Sequence, residues 1–404
     1  MGAYYADAGG WLVTALQFLG QRAEARRISE ECLTVANQVL ERRPGYRLAL
    51  HAQQILNGVL VSVGKDELDP QSARQAALRQ EQASQTLLNL DPGNVTSLNN
   101  MAVAVDQVAD TFWQAGQVRE SVTHRLREVD YSRRAAVGGA DFVNNYAGTL
   151  AFVAYFQAGA GDAAGAAATL AAGEPAITKV QQSDPGGDAA VVAQGWLNIG
   201  AAYVALLRDD FASSRRIAAA GVSELRGITP HGVLKFRKTI ELNFLHDAEG
   251  RSAYLSGDFA AAERSLAQAV EERTAAGVGA TDDRRQLETL HTWLALAQVR
   301  QGHTSDAART IEPVVKFQRE LAGRNRGDRW VPFDLACALY VEALSDQSKR
   351  AALLHEAAGL MEALAPEMGV VWDVRWWRAR IREARQTAAA AYGNQTLAER
   401  IALP

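Results

Sequence analysis

The residue groupings in this 404-residue sequence that could do chemistry are few, and each has a plainer reading. Gly159-Ala160-Gly161-Asp162-Ala163-Ala164-Gly165 has the look of a dinucleotide-binding loop. That loop must follow a strand, and its third glycine must fall three residues after the second. Here an apolar helical segment precedes it and the spacing is one residue too long, so the stretch reads as a turn between helices. Gly58 to Lys65 approximates a phosphate-binding loop, but five residues separate its glycines and Asp66 stands where Ser or Thr should bind magnesium. The seven histidines (His51, His124, His231, His246, His291, His303 and His355) are scattered, with no HExxH and no ligand-like cluster. No GxSxG elbow presents a serine nucleophile. Paired carboxylates such as Glu30-Glu31, Asp209-Asp210, Glu271-Glu272 and Asp282-Asp283 fall at helix surfaces or starts, where acids favour the dipole. The expectation is a chain that is not an enzyme, with no catalytic residues, metal or cofactor.

The charge balance points the same way. Lys and Arg total 42 against 46 Asp and Glu, a net charge of -4, so no global field favours nucleic acid. Local basic clusters, at Arg133-Arg134, at Lys235 to Lys238 and along Arg375 to Arg385, read as solvated helix faces. Cys32 and Cys337 belong to no CxxC or Cys/His cluster and sit among apolar helical residues, so they behave as small core side chains. Free thiols and the lack of a visible signal peptide make a cytoplasmic location the expectation. Two uncharged runs, Phe142 to Gly161 and Ala189 to Leu207, are long enough to cross a bilayer. Asn144, Asn145, Gln157, Gln194 and Asn198, with Ala and Gly in place of Leu and Ile, make them buried helices instead. The chain is helix-like from Tyr4-Tyr5 onward, as expected of a piece cut from a longer protein.

What must position any site is a repeat. The composition, rich in Ala and sparse in Pro, favours helices, because Ala loses no side-chain entropy there. The plainest unit runs from Gly257 to Val270: a turn glycine, Phe259 two residues on, then Ala, Leu and Ala at spacings of three to four. Such a helix has one small-residue face that lets a neighbour approach closely, and its glycine ends the preceding helix. Gly20 to Ala25 and Gly302 to Ala307 repeat the pattern. Trp196, Ile199, Gly200 and Tyr203 fit a complementary first-helix spacing, and Leu90 to Asn94 and Asp184 to Gly186 repeat one inter-unit turn. Asn99-Asn100-Met101-Ala102 with Phe112 to Gly116, and Asn144-Asn145-Tyr146-Ala147 with Tyr155 to Gly159, form two mutually similar, longer units.

These units resemble the tetratricopeptide repeat, a helix–turn–helix motif of ~34 residues, in the elongated form found in helical regions of bacterial signalling proteins. The resemblance implies an all-α, right-handed α-solenoid of about eight helix pairs: 3–44, 46–92, 95–137, 141–185, 188–229, 231–277, 282–322 and 330–368. Residues 1–404 then form one superhelical domain. Its N-terminal repeats occupy 1–185, its C-terminal repeats 188–368, and a helix at 370–393, with Trp372, Trp376 and Trp377, caps the stack. Linkers are expected at Gly138 to Ala140, Asp184 to Asp188, Gly227 to Gly232, Gly277 to Asp283 and Gly323 to Asp328.

In the family, first helices line a concave surface that cradles a peptide or a partner helix. In phase with that pattern, Asn100, Asn145 and Asn198 each precede an apolar-small pair, and Asn99 and Asn144 adjoin the first two. A row of amides, each a donor and an acceptor, could hold a peptide backbone whatever its sequence; equally, these amides could satisfy neighbouring helices. The leading expectation is a non-catalytic scaffold for a protein or peptide partner, belonging to a larger bacterial signalling protein, with no nucleic acid or membrane insertion and with self-association open. The alternative is a sensor that encloses a short peptide or small molecule and regulates an absent effector. Trp and Phe crowding inside the superhelix would favour the sensor, and an open polar groove the scaffold.

Overall fold

The computed structural model describes the backbone of residues 1–277 and 280–401, and the side chains of those residues except Phe18 and 389–401. The expected linker at Gly277 to Asp283 and the end of the expected cap therefore lie partly outside the described residues. Among the described residues the regular structure is eighteen α-helices and one turn of 3-10 helix at Ala136–Gly138, with no strand. They run α1 (Gly2–Phe18), α2 (Arg22–Arg42), α3 (Arg47–Asp66), α4 (Pro70–Leu90), α5 (Val95–Gln114), α6 (Val118–Ala135), α7 (Ala140–Gly159), α8 (Ala163–Ala171) and α9 (Glu174–Ser183). The second half is α10 (Asp188–Leu206), α11 (Phe211–Arg226), α12 (Gly232–Leu255), α13 (Phe259–Ala276), α14 (Thr281–Arg300), α15 (Thr304–Arg324), α16 (Trp330–Ser345), α17 (Arg350–Met368) and α18 (Trp372–Ile401). Each helix packs on the next, except that α8 and α9 both pack on α7 and α10, and first helices of successive pairs also touch, as α1 does α3 and α10 does α12. The fold is an all-α, tetratricopeptide-like solenoid.

Two details differ from the sequence reading. First helices begin at Gly2, Arg47, Val95, Ala140, Asp188, Gly232, Thr281 and Trp330, so every pair exceeds the ~34-residue unit, not only the two singled out. The second helix of the fourth pair is broken into α8 and α9 at Gly173, where Glu174-Pro175 starts a new helix. Proline at a first helical turn lacks only a donor that would be unpaired anyway.

The small residues do what the repeat requires of them. Ala262 in α13 is 0% exposed, and a Cβ placed on Gly250 of α12 would lie 2.6 Å from Leu266 Cγ. A Cβ on Gly200 would fall 2.9 Å from Ala151 Cα, bringing α10 and α7 into backbone contact. The apolar α10 is long enough to cross a membrane, yet 67% of its most apolar window is buried against neighbouring helices.

Turns within the first seven pairs use one left-handed residue, as at Gly257 (φ 86°) and Gly302 (φ 81°). In the second pair that position is Leu68, at φ 58°. A residue with a Cβ costs roughly 1–2 kcal/mol there. What Leu68 gains is a buried place against Leu321 and Val331, with Phe317 beside them. Those partners lie far along the chain, because the solenoid curls until its two halves meet. Thr281 N donates to Asp66 Oδ1 at 2.7 Å, Arg326 N to Leu68 O at 3.1 Å and Arg329 N to Gln114 O at 2.7 Å. The Trp330 ring stacks on Trp113 at 4.8 Å and donates Nε1–H to the Trp113 carbonyl at 2.9 Å.

Candidate binding cavity

The curl forms a partly open cavity of about 320 Å³, within the usual range for ligand sites. First helices build most of its wall. Phe152, Tyr155 and Phe156 come from α7, Tyr203 from α10, Phe244 from α12, Trp293 from α14, and Trp330 and Phe333 from α16. Trp113 of α5 and Trp377 of the terminal helix complete the aromatic lining. The rings are locked by edge contacts, Trp113 on Phe156 at 4.5 Å, Tyr155 on Tyr203 at 5.3 Å and Trp330 on Phe333 at 5.2 Å. Edge-on packing of this kind suits the ring quadrupole and fixes the wall.

Charged side chains interrupt that wall. Asp247 and Arg251 are one turn apart on α12; Arg251 Nε donates to Asp247 Oδ1 at 2.8 Å, and Tyr203 donates its hydroxyl to Asp247 Oδ2 at 2.5 Å. Asp373 of α18 is held more loosely, 3.7 Å from Arg251 and 3.5 Å from the Tyr155 hydroxyl. Burial pushes the Asp373 carboxyl above its ordinary range despite Arg251. Asp334 of α16 takes Arg285 Nη2 at 2.8 Å, and burial pushes its carboxyl up to about 6 against that guanidinium. Arg285 also donates to Asp328 at 2.8 Å, whose other oxygen caps Trp330 N at the start of α16. Burial raises the Tyr155 and Tyr203 hydroxyls, keeping both protonated donors.

Beside the cavity a chain of ion pairs joins the two halves. Lys65 lies 2.9 Å from Asp110 and 3.1 Å from Asp282; burial alone would lower it, but those carboxylates hold it above the usual ammonium range. Arg125 pairs with Asp106 at 2.5 Å and with Asp110, and its guanidinium lies 3.9 Å over the Phe156 ring.

The asparagines singled out in the sequence fall in different places. Asn145 Nδ2 donates to Asn99 Oδ1 at 3.0 Å, and Arg237 of α12 donates to Asn145 Oδ1 at 2.6 Å, so these two form a polar chain across first helices. Asn100 donates to Gln54 Oε1 at 3.3 Å. Asn198 receives Gln194 and donates to Glu224, beside a second hollow of about 630 Å³ that it lines with Arg208 and Asp210. Asn144 is 1% exposed and donates to the carbonyls of Ala140 and Ala189, bridging α7 and α10. None of the five lines the aromatic cavity. The residues that do were not singled out as a site; Asp334 is an acid in the largely apolar α16, but Asp247 and Arg251 lie in α12 among several other charged residues and do not stand out there. Among the described residues no three His, Cys, Asp or Glu side chains are grouped as a metal site.

No protein-family model matches the chain, and no curated protein matches it by sequence. Among solved structures it is similar to a Rap protein complexed with competence and sporulation factor, at 12% identity over 95% of this chain and 99% of that one, with a TM-score of 0.49. It is also similar to a monomeric IFIT1 mutant with Gppp-AAAA (10% identity, 94% and 90% covered, TM-score 0.36). Yeast Tom70 is a third likeness (10% identity, 97% and 99% covered, TM-score 0.20). At these identities and scores none of the three says what this chain binds.

Proposed function

We propose that this chain is a non-catalytic receptor that encloses a small ligand, or the side chains of a short peptide, in its interior cavity. The observation that carries the reading is the convergence of rings: side chains from α5, α7, α10, α12, α14, α16 and α18 meet around one partly open cavity formed where distant repeats come into contact. An open scaffold groove has no need of such a wall. Catalysis is not part of the proposal. The thiol on the wall, Cys337, is pushed well up by burial, and among the described residues no histidine lines the cavity to activate it. A peptide backbone extending beyond the cavity would run along the polar chain Asn99–Asn145–Arg237, with Asn100 beside Asn99 on α5 and Asn198 on α10.

Because the enclosing contacts join the two halves, a ligand that prefers the closed cavity would favour that curl, which is how a sensor reports occupancy. The test is to equilibrate the purified chain with a random tetrapeptide pool, recover the complex by gel filtration and identify retained peptides by mass spectrometry. Retained peptides whose binding is lost in Trp330→Ala but kept in Asn198→Ala support the cavity. Binding that survives Trp330→Ala and fails in Asn99→Ala/Asn145→Ala moves the site to the asparagine surface.

A further inference from the structure

We infer that the cavity selects an organic cation, an alkylammonium or guanidinium group on a small molecule or a peptide side chain; this rests on the cavity being the site proposed above. Four observations converge on it. Three carboxylates, Asp247, Asp334 and Asp373, line the cavity with a single guanidinium, Arg251. Arg285 neutralises Asp334 from outside but shares itself with Asp328, so negative charge stays in excess.

The excess is not spread evenly. Asp247 takes Tyr203 and Arg251 at short range, whereas Asp373, only 8% exposed, accepts from its own backbone N–H and is approached by other side chains at 3.5 and 3.7 Å. A buried carboxylate that loosely held is costly unless something donates to it. On the same wall Gln318 is 1% exposed and its buried Oε1 receives no donor. Both groups have room to accept a further donor, and an ammonium or guanidinium is donor only.

The rest of the wall suits the same class. Aromatic faces attract cations through their quadrupole, most strongly where water is excluded. The protein already uses this geometry with its own side chains: Arg251 lies 5.2 Å from the Trp293 ring centre and Arg125 lies 3.9 Å from that of Phe156. Among the described residues, an anion would find the one lining cation already engaged by Asp247 and would face three acids. A metal ion lacks a grouped ligand set among the described residues.

The experiment titrates the full chain at pH 7.5 with N-acetyl-arginine and N-acetyl-lysine methyl esters. N-acetyl-citrulline and N-acetyl-norleucine methyl esters serve as uncharged counterparts and N-acetylglutamate as the anion. Calorimetry and tryptophan fluorescence are the readouts. The cations should bind at least tenfold tighter than their counterparts, and Asp373→Asn should remove most of that preference with the circular dichroism unchanged. Gln318→Leu, far from α18 in the chain, should weaken the cations and not the neutral probes, and it decides the matter if Asp373→Asn fails to fold. Equal or tighter binding of neutral or anionic probes, or no saturable binding of either cation, overturns the inference. A tetrapeptide pool that yields neutral or acidic cavity binders would leave the receptor reading standing and the cation wrong; a pool and probes that both yield nothing would sink both.

Discussion

The Tyr203 hydroxyl donates to Asp247 Oδ2 at 2.5 Å, from α10 to α12, inside the aromatic wall of the cavity. The carboxylate's other oxygen takes Arg251, so Asp247 holds both neighbours at short range, and Asp373 is the more loosely held acid of the cavity. Tyr203→Phe removes one donor from a buried charge. Unfolding free energy in urea should fall by about 1.5–3 kcal/mol, with helicity unchanged. An effect near zero would mean that water reaches Asp247.

The Asp334 carboxyl sets a pH dependence. Its folded value of about 6 lies above the ~3.9 of an unfolded Asp. The folded state therefore binds the proton more tightly, and the stability contribution is complete below about pH 4 and lost as pH rises through about 6. Asp334→Asn cannot titrate, so denaturation curves measured from pH 4 to 7 should show a shallower fall in stability than the parent chain. An unchanged slope would place that titration elsewhere.

Lys65 ties α3 to α14 through Asp282, and to α5 through Asp110. Lys65→Met leaves Asp282 with only the distant Arg285, at 3.9 Å, and Asp110 with Arg125 alone. The cost should be about 3 kcal/mol, the low end for a broken buried pair, because Arg125 still holds Asp110. Hydrogen exchange should quicken over residues 281–290 and leave α1 and α2 unchanged. Uniform quickening along the chain would show that the contact supports the whole stack and not the closure.

Ala262 tests the phase of the repeat. It is 0% exposed where α12 meets α13, opposite the close approach at Gly250. Ala262→Arg should cost at least the ~1–3 kcal/mol of overpacking, with the burial of an unpaired charge added, and lower the melting temperature by several degrees. A melting temperature that does not move would mean that α13 can rotate.

How much was legible in the sequence follows from which interactions are local. Gly257, Phe259, Ala262 and Leu266 announce a helix, its turn and its packed face within a dozen residues, because propensity, left-handed glycine and small-residue contacts act between neighbours in the chain. That is why the helix pairs could be read from spacing, and why Asn144 and Asn145 could be placed on a first helix. Whether an amide then faces solvent, another amide or a carbonyl depends on the next helix: Asn144 bridges to Ala189, and its neighbour Asn145 meets Asn99 and Arg237. The cavity was beyond the sequence altogether. Asp66 meets Thr281, Trp113 meets Trp330 and Tyr155 approaches Asp373 only because small rotations between many packed pairs accumulate into a curl. No single pair records that sum, so the sequence determined the units and their order, and the tertiary structure alone decided which aromatic and acidic side chains share an interior.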